Sequence, residues 1–219
     1  MKKVFFRSHG KPVIIQDNND DYIINYIEQN KTFYEKELLD EIFHRAMPNW
    51  FFVDIGAHIG NHSIFLSKIL GLSGLAFEAR HETYVSLLAN LEGNAVSDLV
   101  RCLECAVGDR TGSAISLGPK VHGNSGTNSV KLNTREGISQ IAIDSFIFER
   151  LDFMKIDVEG AELNCLQGAR STIIKHKPLL CLEAMDRSSF EQLSSWLEEL
   201  GYVPKRRFNA TPTYLFEPI

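Results

Sequence analysis

The sequence predicts a doubly wound α/β fold: a mostly parallel sheet with helices on both faces. Three observations carry this expectation. From Trp50 onward, short apolar runs alternate with amphipathic stretches. The runs are continuously apolar rather than alternating, as strands buried on both faces require. Acidic residues and glycines recur just after those runs, where sheets of this kind hold their ligands.

The elements follow in order. Residues 4–6 and 13–15 are apolar triplets flanking Gly10, Lys11 and Pro12, a small hairpin. Residues 19–46 carry a single helical pattern, with Tyr22, Ile23, Tyr26, Ile27, Leu38, Leu39, Ile42 and Phe43 at helical spacing. This divides the chain into an N-terminal hairpin and helical extension, 1–46, and a main domain, 47–219. Strands are expected at 50–55, 75–78, 99–107, 153–157 and 179–183, and helices at 63–70, 82–91, from near Gly160, and at 190–200. Tyr202-Val203 and Tyr214-Leu215-Phe216, around Asn209-Ala210-Thr211-Pro212, read as a closing hairpin. Residues 118–137 hold Gly118, Gly123, Gly126 and Gly137 among asparagines and serines with little periodicity. That stretch is expected to be a long polar loop, either a substrate lid or a mobile surface insertion.

With 219 residues, 44% hydrophobic and 23% charged, the chain has the composition of an ordinary globular domain. Its net charge of −5 argues against a protein built to grip nucleic acid. Cys102 and Cys105 form a C-x2-C pair with no second ligand pair at zinc spacing, and Cys165 and Cys181 stand alone. Four reduced core cysteines in a cytoplasmic protein are the expectation. The N-terminus reaches Arg7 after three apolar residues, too few for a signal peptide, and no window has the roughly 20 apolar residues of a membrane span. No membrane partner is expected, and no feature sets an oligomeric state.

The first strand runs into Val53-Asp54-Ile55-Gly56-Ala57-His58-Ile59-Gly60. Gly56 permits a tight turn and Gly60 a close backbone approach. The spacing is not the G-x-G-x-x-G of dinucleotide sites, and Asp54 would repel a pyrophosphate. A cationic, phosphate-free cofactor suits it better, and S-adenosylmethionine (SAM), with its ammonium and sulfonium, is such a molecule. Glu78, about 20 residues on at the second strand end, stands where a ribose diol is held. Asp109, after Cys105-Ala106-Val107-Gly108, is placed to accept from an adenine amine.

These residues, with Ala76-Phe77-Glu78, Ala106-Val107-Gly108-Asp109 and above all Lys155-Ile156-Asp157-Val158-Glu159-Gly160-Ala161-Glu162, resemble the FkbM-type branch of the class I SAM-dependent methyltransferases. The resemblance runs from Phe33-Tyr34-Glu35 to about Leu200. It implies a Rossmann-like class I methyltransferase sheet of seven strands with the last antiparallel, and O-methylation of hydroxyl groups. It also implies cofactor binding by Gly56, Ala57, His58 and Gly60 beside Asp54, Glu78 and Asp109, with Tyr34 and Glu35 covering the methionine end. His58 stands where the family more often has Asn, and Ala79 where it often has Pro.

An alkyl hydroxyl is a poor nucleophile until its proton is accepted. Asp157, at the fourth strand end, is the expected proton acceptor. Glu159 would orient the substrate or share the proton, and Glu183 comes from the neighbouring strand. The same carboxylates are an oxygen set for Mg²⁺, an alternative that is not favoured. Glu162 is read as a first-turn helix residue, and His62 as a packing residue near the cleft. Lys155 is expected to alternate away from Asp157 along the strand, as a structural charge. Lys205-Arg206-Arg207 reads as a solvated strand face. The leading function is an O-methyltransferase acting on a sugar, a glycan or a small metabolite. A nucleic-acid or protein methyltransferase, and a SAM-binding module without catalysis, are the alternatives.

Overall fold

The computed structural model describes residues 2–18, 21–121, 124–209 and 211–219, with 118–128 followed through their backbone alone. Asn19 and Asp20 of the expected helical stretch, Gly123 of the glycine-rich one and Ala210 of the closing turn lie outside the described residues.

The chain opens with a hairpin, β1 (Lys2–Ser8) and β2 (Lys11–Asp17), in antiparallel register. His9 and Gly10 both take positive φ, 48° and 76°, as a two-residue hairpin turn demands. Two helices follow, α1 (Tyr22–Asn30) and α2 (Lys36–Arg45), where one helical pattern was expected. Periodicity alone does not reveal the break. Lys31 caps α1 in left-handed conformation, its N–H donating to the Ile27 carbonyl, and Phe33 then turns into the core at 1% exposure.

The alternating elements are β3 (Phe51–Ile55), α3 (Asn61–Ile64), β4 (Ser73–Glu78), α4 (His81–Gly93) and β5 (Val100–Glu104). Next come β6 (Ala106–Val107), β7 (Gly112–Val121), β8 (Asn124–Thr134) and β9 (Ile138–Ile141). The chain closes with β10 (Phe153–Ile156), α5 (Glu162–Gln167), α6 (Arg170–His176), β11 (Leu179–Glu183), α7 (Arg187–Glu198), β12 (Tyr202–Phe208) and β13 (Thr213–Pro218). The expected helix at 63–70 is the short α3 continued by a π-helical turn, Phe65–Ile69. Seven strands form one sheet in the order β12-β13-β11-β10-β3-β4-β5. The five consecutive strands β11-β10-β3-β4-β5 are parallel, and β13 runs against both neighbours, so the expected sheet class holds.

Two expectations are corrected. The strand foreseen at 99–107 ends at Glu104; Ala106 and Val107 leave the main sheet and pair with β9. The stretch 118–137 is no irregular loop. Most of it belongs to the long β7–β8 hairpin of a second sheet, ordered β6-β9-β7-β8. Register shifts at Ser113/Ile115, Ser116/Gly118 and Pro119/Val121 break the two-residue alternation that would have announced strands.

Core residues divide between the two faces of the sheet. Phe52, Ala76 and Cys181 pack with the N-terminal hairpin, α1, α2 and α4; Val53, Ile55, Phe77 and Ile156 pack with α5, α6 and α7. The hairpin is fastened by two asparagine side chains one helical turn apart on α4. Asn94 pairs with the Ile14 N–H and carbonyl, and Asn90 with those of Gln16, so each amide imitates a neighbouring strand.

Strand order reverses between β3 and β10, and the two chains leave the sheet almost touching. Gly56 has φ 78°, and a methyl group there would sit 1.8 Å from the Asp157 carbonyl oxygen. Gly10 has the same hand of φ with open space around it. Gly56→Ala should therefore cost about 3 kcal/mol or more in urea unfolding, against about 1 kcal/mol for Gly10→Ala, which carries the backbone strain alone. Equal losses would contradict the close approach.

Candidate active site

The carboxyl ends of β3, β4, β10 and β11 open onto a cleft of about 1030 Å³, its mouth included. Phe77, Glu78 and the run Cys105, Ala106 and Val107 line one end; Tyr34, Glu35, Asp157, Glu159 and Glu183 line the other. This is the crevice that doubly wound sheets use for ligands.

At the first end, Glu78 is fixed by backbone donors. The His58 N–H donates to one carboxylate oxygen at 2.8 Å and the Arg80 N–H to the other at 2.9 Å. His58 pays its way to that position with φ 52°, beside Gly56. The Gly56 and Ala57 N–H groups both donate to the Phe77 carbonyl, at 3.0 and 2.9 Å, which ties the loop to β4. Gly56, His58 and Glu78 thus lie in the cleft wall, and Ala57 is buried beneath the loop. Gly60 is placed against α4, where an added methyl would meet Leu87 at 2.7 Å.

Two expected cofactor groups sit elsewhere. Asp54 is fully buried, accepting from the Ser63 hydroxyl at 2.6 Å with Lys155 at 3.9 Å, and forms no part of the wall. Asp109 accepts from the Asn133 amide at 2.9 Å, also off the wall. Position after a strand was legible; the direction of the side chain was not.

At the second end, Lys155 and Asp157 point to the same side of their strand, as residues two apart do. Their ammonium–carboxylate distance is 2.9 Å, and Lys155 is 2% exposed. The expectation that Lys155 faces away is thus corrected. The β10–β11 register, Ile156 opposite Leu182, carries Asp157 alongside Glu183. Burial works against the Lys155 charge, but the carboxylates of Asp157, Asp54 and Glu35 outweigh it and keep the ammonium charged. Burial likewise opposes ionisation of Asp157, and Lys155 overcomes it, holding this carboxyl below its ordinary range. Among the described residues, none supplies such a cation to Glu183. Burial, then the charges of Asp157 and Glu159, push it up to about 10, and its proton is donated to Asp157. At neutral pH the pair therefore carries one proton and one negative charge.

The turn after β10 explains the two remaining acids. Glu159 and Gly160 both have positive φ, 54° and 103°. Glu162 holds that turn, accepting from the Gly160 N–H at 2.9 Å and the Val158 N–H at 3.3 Å. Asn61 escaped the sequence reading. Its amide accepts from the Tyr34 N–H and donates to the Tyr34 carbonyl, both at 3.0 Å, and so pins Tyr34 in the wall. An asparagine just after a glycine turn was the only signal. Among the described residues, no group of three or more His, Cys, Asp and Glu is arranged to hold a metal ion.

Comparison with known proteins identifies the family and the fold. Residues 54–204, well over half of the chain, match the Methyltransferase FkbM domain. Methyltransferase sdnD of Sordaria araneosa is 26% identical over 220 residues, covering 83% of this chain and 85% of the relative. The crystal structure of the methyltransferase FkbM from Methylobacillus flagellatus KT shares the fold with a TM-score of 0.63 and 20% identity. That match covers 89% of this chain and 52% of the other, so this chain spans about half its length. The N-terminal domain of human METTL16 in complex with SAH (S-adenosylhomocysteine) shares it more distantly, with a TM-score of 0.51, 16% identity, and coverage of 83% and 66%. The chain, an α/β protein with its carboxylates gathered at the switch point of a seven-stranded sheet, belongs to the FkbM methyltransferase family.

Proposed function

We propose that this methyltransferase binds SAM in the cleft and methylates a hydroxyl of a sugar, glycan or small metabolite, with Asp157 accepting the proton. The observation that carries this reading is the placement of Asp157 and Glu183, two carboxyls on adjacent strand ends in the cleft wall, with the Lys155 ammonium 2.9 Å from Asp157.

The residues present fit such a cofactor. Glu78 keeps acceptor capacity beyond its two backbone donors, enough for a ribose diol. The far end offers Glu35, Asp157 and Glu159 to the cleft, while the Lys155 ammonium stands behind the wall, and this surplus of carboxylate suits a cationic ligand. When bound, SAM supplies an electrophilic methyl group on its sulfonium. Asp157, kept ionised by Lys155, then needs only modest basicity, because a hydroxyl proton becomes strongly acidic as its oxygen is alkylated. Glu183 holds the Asp157 carboxylate in place through its own O–H, and Glu159 stands ready to orient the acceptor. Positive charge beside Asp157 comes from Lys155, so we assign no metal. A phosphate-rich acceptor would meet these carboxylates unfavourably, which speaks against RNA or DNA. The four cysteines are free thiols, in keeping with a reducing, cytoplasmic setting.

Two outcomes test this. In a radiolabelled-methyl assay on sugars, glycans and polyhydroxylated metabolites, Asp157→Asn should lower turnover by about 10²- to 10⁴-fold. Affinity for SAH should change by less than about tenfold. Full turnover by the variant would remove Asp157 from the chemistry. The second outcome concerns pH. Glu183 titrates at about 10 in the folded chain, against about 4.3 unfolded. Between those values the native state binds a proton that the unfolded chain has lost, so stability falls as pH rises, by up to about 1.4 kcal/mol per unit. The contribution of that proton is fully present only below about pH 4. Glu183→Gln should flatten the fall in urea midpoint between about pH 6 and about pH 8. Parallel pH profiles for the two proteins would show that Glu183 is ionised.

A further inference from the structure

We propose that His62 and Asn209 are positioning residues, clamping Glu35 so that its carboxylate recognises the ammonium at the amino-acid end of the cofactor. This rests on the SAM reading above and extends it to residues not yet given a role.

The geometry is that of a built clamp. Glu35 begins α2 in left-handed conformation, φ 58°, yet its side chain does not cap the helix. One of its oxygens accepts from the Asn209 amide at 2.6 Å. The other lies 2.9 Å from His62 Nε2, with the Glu35 and His62 side chains 7% and 10% exposed. Glu35 precedes α2, His62 lies in α3 just after the first cofactor loop, and Asn209 belongs to the β12–β13 turn. Asn209 is itself held in left-handed conformation, φ 62°, and also donates to Thr213. Asn61, next to His62, pins Tyr34, next to Glu35. Three side chains from two distant segments thus fix a dipeptide that supplies cleft wall.

Burying a carboxylate costs free energy unless its partners compensate. The Asn209 hydrogen bond leaves most of the acceptor capacity of Glu35 unused, and Glu35 lines the cleft. The complementary group is a cation. Glu35 and Asp157 line the same cleft as Glu78, so a nucleoside with its ribose at Glu78 could extend its amino-acid end toward them. An ammonium on the acceptor molecule would offer the same charge, and the probes below separate the two sources.

The test is calorimetric titration with two thioether nucleosides, SAH and 5′-methylthioadenosine, which lacks the amino-acid end. His62→Ala and Asn209→Gly should each weaken SAH by about tenfold or more, with methylthioadenosine unchanged to within about twofold. His62→Gln, which keeps a donor, should recover much of the SAH affinity, and serves if the alanine variant does not fold. Equal weakening of both nucleosides, or no weakening of SAH, would overturn the clamp. Wild-type protein that binds both nucleosides equally well would overturn recognition of the ammonium. If wild-type protein bound neither, the SAM reading itself would fall, and the clamp with it.

Discussion

A lysine ammonium held out of water at the carboxyl edge of the sheet governs the chemistry of this cleft. An isolated charge buried like Lys155 would cost several kcal/mol, so it must be paired. The pairing is lopsided: Asp157 stands at 2.9 Å, and Asp54, already bonded to Ser63, at 3.9 Å. Asp157 is therefore the carboxyl that stays ionised. Glu183, beside it, is raised by burial and by the Asp157 charge, with no cation among the described residues to offset them. The division of labour between two chemically similar groups follows from where one ammonium sits.

The backbone places these groups. Because strand order reverses between β3 and β10, the two chains diverge above the sheet and leave a crevice between them. Only a glycine at position 56 lets the β3 turn pass the Asp157 carbonyl. The N-terminal segment then closes the crevice from a third side, sharing a core with one face of the sheet and contributing Tyr34 and Glu35. Both lie outside the family match at residues 54–204, as do Asn209 and the β12–β13 turn. The cleft is thus a joint product of the shared domain and its flanks, with the β7–β8 hairpin adding Ser116, Ser129 and Val130 to the wall.

The sheet was legible in the sequence because its strands are continuously apolar, a signal of burial on both faces. Features that break a period were not. The α1–α2 break hides inside an unbroken helical pattern, and bulges scramble the alternation of β7 and β8. At the site, strand-end position announced Glu78, Asp157 and Glu183. It could not tell that Asp54 and Asp109 turn away from the cleft, since that depends on their side-chain partners, Ser63 and Asn133, 9 and 24 residues further along. Lys155 was misread as facing away from Asp157, although residues two apart on a strand share a face. His62 and Asn209 were not readable, because their meaning exists only where Glu35 meets them in space.

Everything proposed for the chemistry rests on one proton at the Asp157–Glu183 pair. Infrared spectroscopy of the carboxyl stretch observes it without any substrate. At about pH 8, well above ordinary carboxyl titration, a protonated carboxylic acid band should be present. It should vanish in Glu183→Gln and fade as the wild-type protein is taken above about pH 10, where Glu183 titrates. A wild-type spectrum with every carboxyl ionised at about pH 8 would contradict the account.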